Sequence, residues 1–349
     1  ARGLYTNKDR VQYKFPKEIS GEAYQVQYEP IPLHPHNGPL QVWLEMGAVG
    51  ALIGLGLIAS SMAHAMRRGG VAAEISGYAR SQATRDTARR IQLCDTVCDS
   101  AEAAVEGADL IVLAVPVGAM GVVAEAIAPH LKPGATVIDV GSVKAAVVEA
   151  VGPHVPDGVH FVPTHPMAGT EHSGPEAGFA SLFDNRWTLI VPPDGADTAA
   201  VERVEAYWQA LGANCERMEV THHDLVCAVV SHIPHLIAYT MVGVADDLSR
   251  VSDQEVIKFS AAGFRDFTRI AASDPTMWRD VFLTNKEATL EMLGRFTEEL
   301  FALQRAIRTG DGEELFDYFT RTRAIRRGII EAGQDTDAPD FGRAKKHDR

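Results

Sequence analysis

From Val49 onward the chain alternates short, unbroken apolar runs with longer stretches in which apolar residues recur every three or four positions. Unbroken runs suit strands buried on both faces, and the intervening period suits crossover helices. Residues 47–219 therefore predict an α/β domain built on a doubly wound, mostly parallel sheet. The expected strands are 49–53, 73–78, 109–115, 135–139, one through 160–163, 187–191 and 215–218. Past Thr221 the strand runs stop. Residues 220–333 are rich in Ala, Leu, Glu and Arg at helical spacing, and Pro234, Gly263, Asp274-Pro275 and Gly310-Asp311-Gly312 divide them into about five helices of an all-α C-terminal domain. Residues 1–46 carry Pro16, Pro30, Pro32 and Pro35 without a sustained period and read as an irregular extension. Met46, just before the first run, marks a candidate native start, which would make the preceding segment non-native. Residues 334–349 form a polar tail.

Composition narrows the class. A length of 349 residues accommodates two domains, and 46% hydrophobic with 23% charged residues is ordinary for a folded globular chain. A net charge of −13 repels phosphate backbones and anionic lipid, so nucleic acid and membrane are not the expected partners. The four cysteines, Cys94, Cys98, Cys215 and Cys227, have neither paired spacing nor scaffold density, and read as buried free thiols in a reducing, cytoplasmic setting. No uninterrupted apolar run reaches the roughly 18 residues of a membrane span, and no export signal opens the chain.

The first predicted strand runs into Gly54-Leu55-Gly56-Leu57-Ile58-Ala59 and then into a helical period. That strand-turn-helix context is what a dinucleotide fingerprint needs. Gly54 permits the tight turn, Gly56 lets the backbone approach a pyrophosphate, Ala59 permits close packing, and the amides of Leu57 and Ile58 open the helix toward the phosphates. The domain is thus expected to be a Rossmann domain, with Val115-Pro116 at the end of another strand lining the same cleft. An NAD enzyme usually carries an acid at the end of the second strand, some 20 residues on. Here the chain reads Tyr78-Ala79-Arg80-Ser81. Lacking the acid, and with Arg80 and Ser81 able to meet a 2′-phosphate, the sequence leaves NAD and NADP both open.

Two further strand ends carry chemistry. After Asp139 come Val140-Gly141-Ser142-Val143-Lys144, and after the next strand come His165-Pro166-Met167-Ala168-Gly169-Thr170-Glu171. The carboxyl edge of a parallel sheet is where ligands sit, so a hydroxyl and an imidazole arrive together. His165 suits a general base accepting a proton from an alcohol, with Ser142 orienting it. The competing readings are an imidazole satisfying a buried carbonyl and a loop-capping serine. In the helical half, Ser231-His232-Ile233-Pro234-His235 and Arg265-Asp266-Phe267-Thr268-Arg269 are polar clusters. No Cys, Asp or Glu stands at ligand spacing beside His232 and His235, so no metal site is expected there. Arg269 suits a two-pronged hydrogen bond to a substrate carboxylate, against the alternative of an intrahelical pair with Asp266. Trp278, read from composition, is core or interface.

Taken together, the glycine turn, Asp139 to Lys144, His165 to Glu171, Ser231 to His235 and Asp266 to Ala271 resemble, in order and spacing, the prephenate/arogenate dehydrogenase family of tyrosine biosynthesis. The likeness extends over about residues 47–343, in the form of the alphaproteobacterial cyclohexadienyl dehydrogenases. The resemblance implies oxidative decarboxylation of prephenate to 4-hydroxyphenylpyruvate, with arogenate to tyrosine as the related reaction. It implies a nicotinamide cofactor and a homodimer formed by the helical half. It further implies that His165 deprotonates the ring hydroxyl, Ser142 bridges His165 and the nicotinamide, Arg269 holds a substrate carboxylate, and His235 with His232 positions the substrate. Glu171 and Asp266 would form a gating ion network, and Trp278 would reach a neighbouring subunit's site. The competing functions are an arogenate-specific dehydrogenase, another Rossmann hydroxyacid dehydrogenase, and a non-enzymatic module that senses the dinucleotide ratio.

Overall fold

The apolar run Val49–Ile53 (β1) forms the middle of a six-stranded sheet. Glu74–Tyr78 (β2), Thr96–Val97 (β3), Leu110–Leu113 (β4), Thr136–Asp139 (β5) and His160–Phe161 (β6) complete it in the order β3-β2-β1-β4-β5-β6, every pair parallel. The computed structural model describes residues 49–170, 172–249 and 261–331. The irregular extension at 1–46, the polar tail at 334–349 and Glu171 lie outside the described residues.

Side chains alternate across a strand, and both faces of this sheet are covered, which is why its strands read as continuous apolar runs. Leu52 belongs to the core on one face, whereas Ala51 and Ile53 belong to the core on the other. Helices Leu57–Gly69 (α1), Gln82–Arg90 (α2), Ala101–Val105 (α3), Val117–Ile127 (α4) and Ala145–Val151 (α5) link the strands. The two-residue β3 was not expected, because Thr96–Val97 carries too little apolar signal to register as a run.

The strands after β6 depart from expectation. Thr164–Pro166 (β7), Trp187–Ile190 (β8) and Asn214–Arg217 (β9) form a separate three-stranded sheet in which β7 runs antiparallel to β8. His165 is therefore a strand residue of this second sheet, paired with Leu189, and not part of a loop at the edge of the first. The second sheet packs through Thr198–Ala210 (α6), whose fully buried Trp208 meets Phe183 edge-on at 5.3 Å.

The helical half opens with Val220–Cys227 (α7), capped by the carboxylate of Glu219 on the amides of Thr221 and His222. A π-helical turn, Ala228–His232, joins α7 to Ile233–Ser249 (α8). Pro234 explains it, because it lacks the N–H of a regular helical ladder and its ring crowds the preceding turn, strain that a widened turn absorbs. Ala262–Thr268 (α9), Pro275–Thr284 (α10), Lys286–Thr309 (α11) and Gly312–Glu331 (α12) follow.

Contrary to the sequence expectation, the helical stretch Val220–Leu248 is long and apolar enough, by length and composition, to cross a membrane. The imidazoles and carboxylates spaced along it interrupt any continuous apolar run, which hid its average character. Much of that apolar surface is exposed on the described chain, including Val230, Met241, Val242 and Leu248.

Candidate active site

The glycine turn sits at the carboxyl end of β1, where the strand order switches direction between β1 and β4. Gly54 has φ +100°, and a Cβ there would lie 2.5 Å from the carbonyl oxygen of Ala114 and 3.0 Å from the amide nitrogen of Val115. The turn thus rests directly on the end of β4, and only glycine fits. Gly56 differs, since a Cβ would meet nothing within 4 Å. It stands at the start of α1 with no side-chain cap and no acidic residue in the first turn. Leu57 and the fully buried Ala59 anchor the helix while Ile58 packs against the core, so its first amides face the open side. Val115, half-buried, and Pro116, exposed at the start of α4, border this opening. These residues fit a dinucleotide.

At the end of β2, Ala79 is buried and Arg80 and Ser81 are exposed. Arg85 braces the turn through hydrogen bonds from Nη1 to the carbonyls of Ala79 (2.7 Å) and Arg80 (3.0 Å), and lies over the Tyr78 ring. The rim therefore carries cations, with no carboxylate between Tyr78 and Ser81.

His165 is held by a chain of buried polar groups that crosses from the sheet domain to the helical half. Its Nδ1 lies 2.9 Å from Nε2 of His223 on α7, and Nδ1 of His223 lies 2.8 Å from Oδ1 of Asp224. Asp224 in turn accepts hydrogen bonds from the amides of Lys144 (2.7 Å) and Ala145 (2.9 Å) at the start of α5. Its backbone carbonyl accepts from Nδ2 of Asn285. The carboxylate fixes the tautomers: His223 donates from Nδ1, its bare Nε2 accepts the Nδ1 proton of His165, and Nε2 of His165 is left with a free lone pair. Among the described residues nothing else bonds to that nitrogen.

The electrostatics agree with a neutral base. Burial, aided by neighbouring His223 and Lys144, pushes His165 well below the ordinary imidazole value. Burial lowers His223 as well, against the pull of Asp224. Burial raises Asp224, but the bonds from His223 and the two amides outweigh it and hold the carboxyl below its usual value. Beneath this chain Lys144 is fully buried. It donates to Asp139 and, at 2.7 Å, to the carbonyl of Thr164, which pins β7 to the end of β5. Burial lowers the Lys144 ammonium, opposed by Asp139.

Ser142 occupies the turn after β5 and is half-buried, but no hydrogen bond joins it to His165 among the described residues. In this structure the buried polar contact to His165 comes from His223. His223 and Asp224 were missed because a polar His-His-Asp run on a helix reads as a solvated face. The available signal was that it begins a long, otherwise apolar helix.

His232 and His235 flank one aromatic residue. His235 stacks on Trp278 at 3.7 Å between ring centroids and donates from Nδ1 to the carbonyl of Ser231. His232, fully buried, meets Trp278 edge-on and accepts from Asn285 at Nδ1, and burial lowers it to about 4. Trp278 is buried in its own chain beside Val143 and Val281. Within the chain, Trp278 is packed against both imidazoles. Arg269 begins the turn after α9 and is exposed, close enough to His235 to lower its imidazole further after burial. Asp266 lies one turn earlier on α9, half-buried.

Comparison with known proteins places this geometry. Residues 62–217 match the family described as "Prephenate dehydrogenase, nucleotide-binding domain", and residues 219–321 match "Prephenate dehydrogenase, dimerization domain". The chain is 41% identical over 279 residues to the cyclohexadienyl dehydrogenase of Zymomonas mobilis, covering 80% of this chain and 95% of that protein. It is 33% identical to the prephenate dehydrogenase of Bacillus subtilis, covering 80% of this chain and 75% of that one. Among solved structures it is similar to the prephenate dehydrogenase of A. aeolicus in complex with hydroxyphenyl propionate and NAD+. The TM-score is 0.75 with 32% identity, over 81% of this chain and 98% of that one.

Proposed function

This chain belongs to the prephenate dehydrogenase family and is a nicotinamide-dependent oxidoreductase, and from that premise we propose that it oxidatively decarboxylates prephenate, and arogenate as a second substrate, with His165 as the general base. The observation that carries the base assignment is the chain Asp224–His223–His165, which leaves one lone pair of a neutral imidazole unspent. Strand order supports the placement: β5, to whose end β7 is pinned, lies two strands from β1 in the same sheet.

When bound, the nicotinamide supplies the acceptor for the hydride on the hydroxyl-bearing ring carbon. The protein's part is to take the hydroxyl proton onto Nε2 of His165 as that carbon becomes a carbonyl. The ring carboxylate then departs as carbon dioxide, its bonding electrons complete the aromatic ring, and the former carbonyl oxygen takes the proton back from Nε2 of His165 to become the phenol hydroxyl. Arg269 holds a substrate carboxylate by a charge-assisted pair, with Asp266 in the surrounding ion network; Glu171, the other expected member, lies outside the described residues. His235, flattened against Trp278, positions the side chain, His232 backs it, and Ser142 serves the nicotinamide with its hydroxyl. Gly54, Gly56, Leu57, Ile58, Ala59, Val115 and Pro116 hold the dinucleotide. Residues 47–219 serve as the cofactor domain and 220–333 as the substrate and dimerisation domain.

Cofactor preference turns on Ala79, Arg80 and Ser81, which permit a 2′-phosphate without requiring one. Initial rates with prephenate and arogenate, each with NAD+ and NADP+, test the reading, and activity with no combination overturns it. We also take the exposed apolar surface of the helical half, including Met241 and Leu248 on α8, Phe301 on α11 and Phe319 on α12, as the face covered by a second copy in a cytoplasmic homodimer. A monomeric mass by light scattering would refute that.

A further inference from the structure

Cys227 enters no step of the reaction, yet it completes a buried triangle with the two histidines of the relay. Its Sγ lies 3.5 Å from Nδ1 of His165 and 3.4 Å from Nε2 of His223, and those two nitrogens are 2.9 Å apart. We propose that these three atoms form a site for a thiophilic divalent cation of the zinc class, and that filling it silences the enzyme. The silencing half rests on the reading of His165 as the base.

The dimensions fit. A tetrahedral zinc ion with ordinary bond lengths holds two nitrogens about 3.3 Å apart and a nitrogen and a sulfur about 3.6 Å apart. Spreading the imidazoles by about 0.4 Å meets that demand, and three protein ligands leave a fourth corner for solvent. His223 and Cys227 stand four residues apart on α7, so both project from one face of the helix. Asp224 already accepts from Nδ1 of His223, the outer carboxylate that fixes the ring of a metal-bound histidine. Lys144, a cation beside all three residues, is paired with Asp139. His165 is 7% exposed, so the triangle is not wholly sealed from solvent.

The consequence follows from tautomer chemistry. A neutral imidazole that gives Nδ1 to a metal carries its proton on Nε2. Binding therefore moves the His165 proton from Nδ1 to Nε2, replaces the hydrogen bond to His223 with two metal bonds, and releases the Cys227 thiol proton to solvent. The nitrogen that must accept the substrate proton is then already protonated.

Cobalt(II) titration of the full-length protein, with zinc inhibition measured in parallel, tests both halves. The expected result is a thiolate-to-cobalt charge-transfer band and tetrahedral visible bands, removed by excess zinc and absent in Cys227→Ala. Zinc should inhibit the wild type reversibly, with recovery on chelation. Cys227→Ala should turn over normally without metal and require more zinc, by at least the about 10- to 100-fold that loss of even an outer-shell partner costs a metal site. No thiolate band in the wild type overturns the site. Equal zinc sensitivity in Cys227→Ala overturns the assignment of inhibition to it. A cobalt site without inhibition overturns the silencing alone, and the rate of His165→Asn then tells whether the base assignment fell with it.

Discussion

Nε2 of His223 accepts the Nδ1 proton of His165 at 2.9 Å, and so decides which nitrogen of His165 is free to react. Replacing His165 with Asn removes the base and should lower kcat by about 100- to 10,000-fold, the usual worth of general base catalysis. Dinucleotide affinity should be unchanged, because the glycine turn is separate. His223→Phe leaves His165 in place but frees its tautomer, so kcat should fall while KM for substrate stays near the wild-type value. Steady-state kinetics with dinucleotide titration by fluorescence check both, and an unaltered kcat in either variant refutes the relay.

Arg269→Ala should act differently. Loss of a charged hydrogen bond to substrate costs about 1.5 to 3 kcal/mol, equivalent to a rise in KM of about 10- to 160-fold. The proton-transfer groups are untouched, so kcat should change little. If KM holds constant while thermal stability drops, Arg269 serves the fold instead.

Gly54→Ala should abolish dinucleotide binding. The substituted Cβ collides with the Ala114 carbonyl, and the residue must keep a positive φ, itself a cost of about 1 to 2 kcal/mol for any L side chain. Titration with reduced dinucleotide, followed by fluorescence, should show no saturation. Retention of wild-type affinity would mean that the cofactor approaches by another edge.

Acid should destabilise the fold. His232 is lowered from 6.5 to about 4 by burial, so between those values the unfolded chain binds a proton that the folded chain refuses. The contribution of His232 is complete above about pH 6.5 and is lost as pH falls toward 4. Thermal melts across this range should show Tm falling with pH. In His232→Asn, which has no imidazole to protonate, that part of the decline should be shallower, though the variant starts from a lower Tm. A wild-type Tm independent of pH between these limits would contradict the buried neutral imidazole.

The sheet was legible because parallel strands buried on both faces leave unbroken apolar runs, as at Val49–Ile53 and Leu110–Leu113, and because Gly54 and Gly56 punctuate the first of them. The second sheet was not, since β7 is three residues long and contributes His165 and Pro166, neither of which signals a strand. For the site, the separated motifs pointed to His165, His235 and Arg269. His223, Asp224 and Cys227 carried no comparable signal. Each is explained only by burial and by a partner distant in sequence, as when Asp224 meets the amides of Lys144 and Ala145. The π-turn had one sequence trace, Pro234, whose consequence depends on the helix continuing through it.

Asp224 belongs to the helical half, yet both of its oxygens are spent on the first turn of a helix in the sheet domain. The same carboxylate also orders the protons leading to His165. Docking and readiness to react are therefore a single latch: any hinge motion that lifts α7 from α5 unseats Asp224, releases the tautomer of His223 and disarms the base. On the proposed role of His165, separating α7 from α5 would leave the base without its ordered proton.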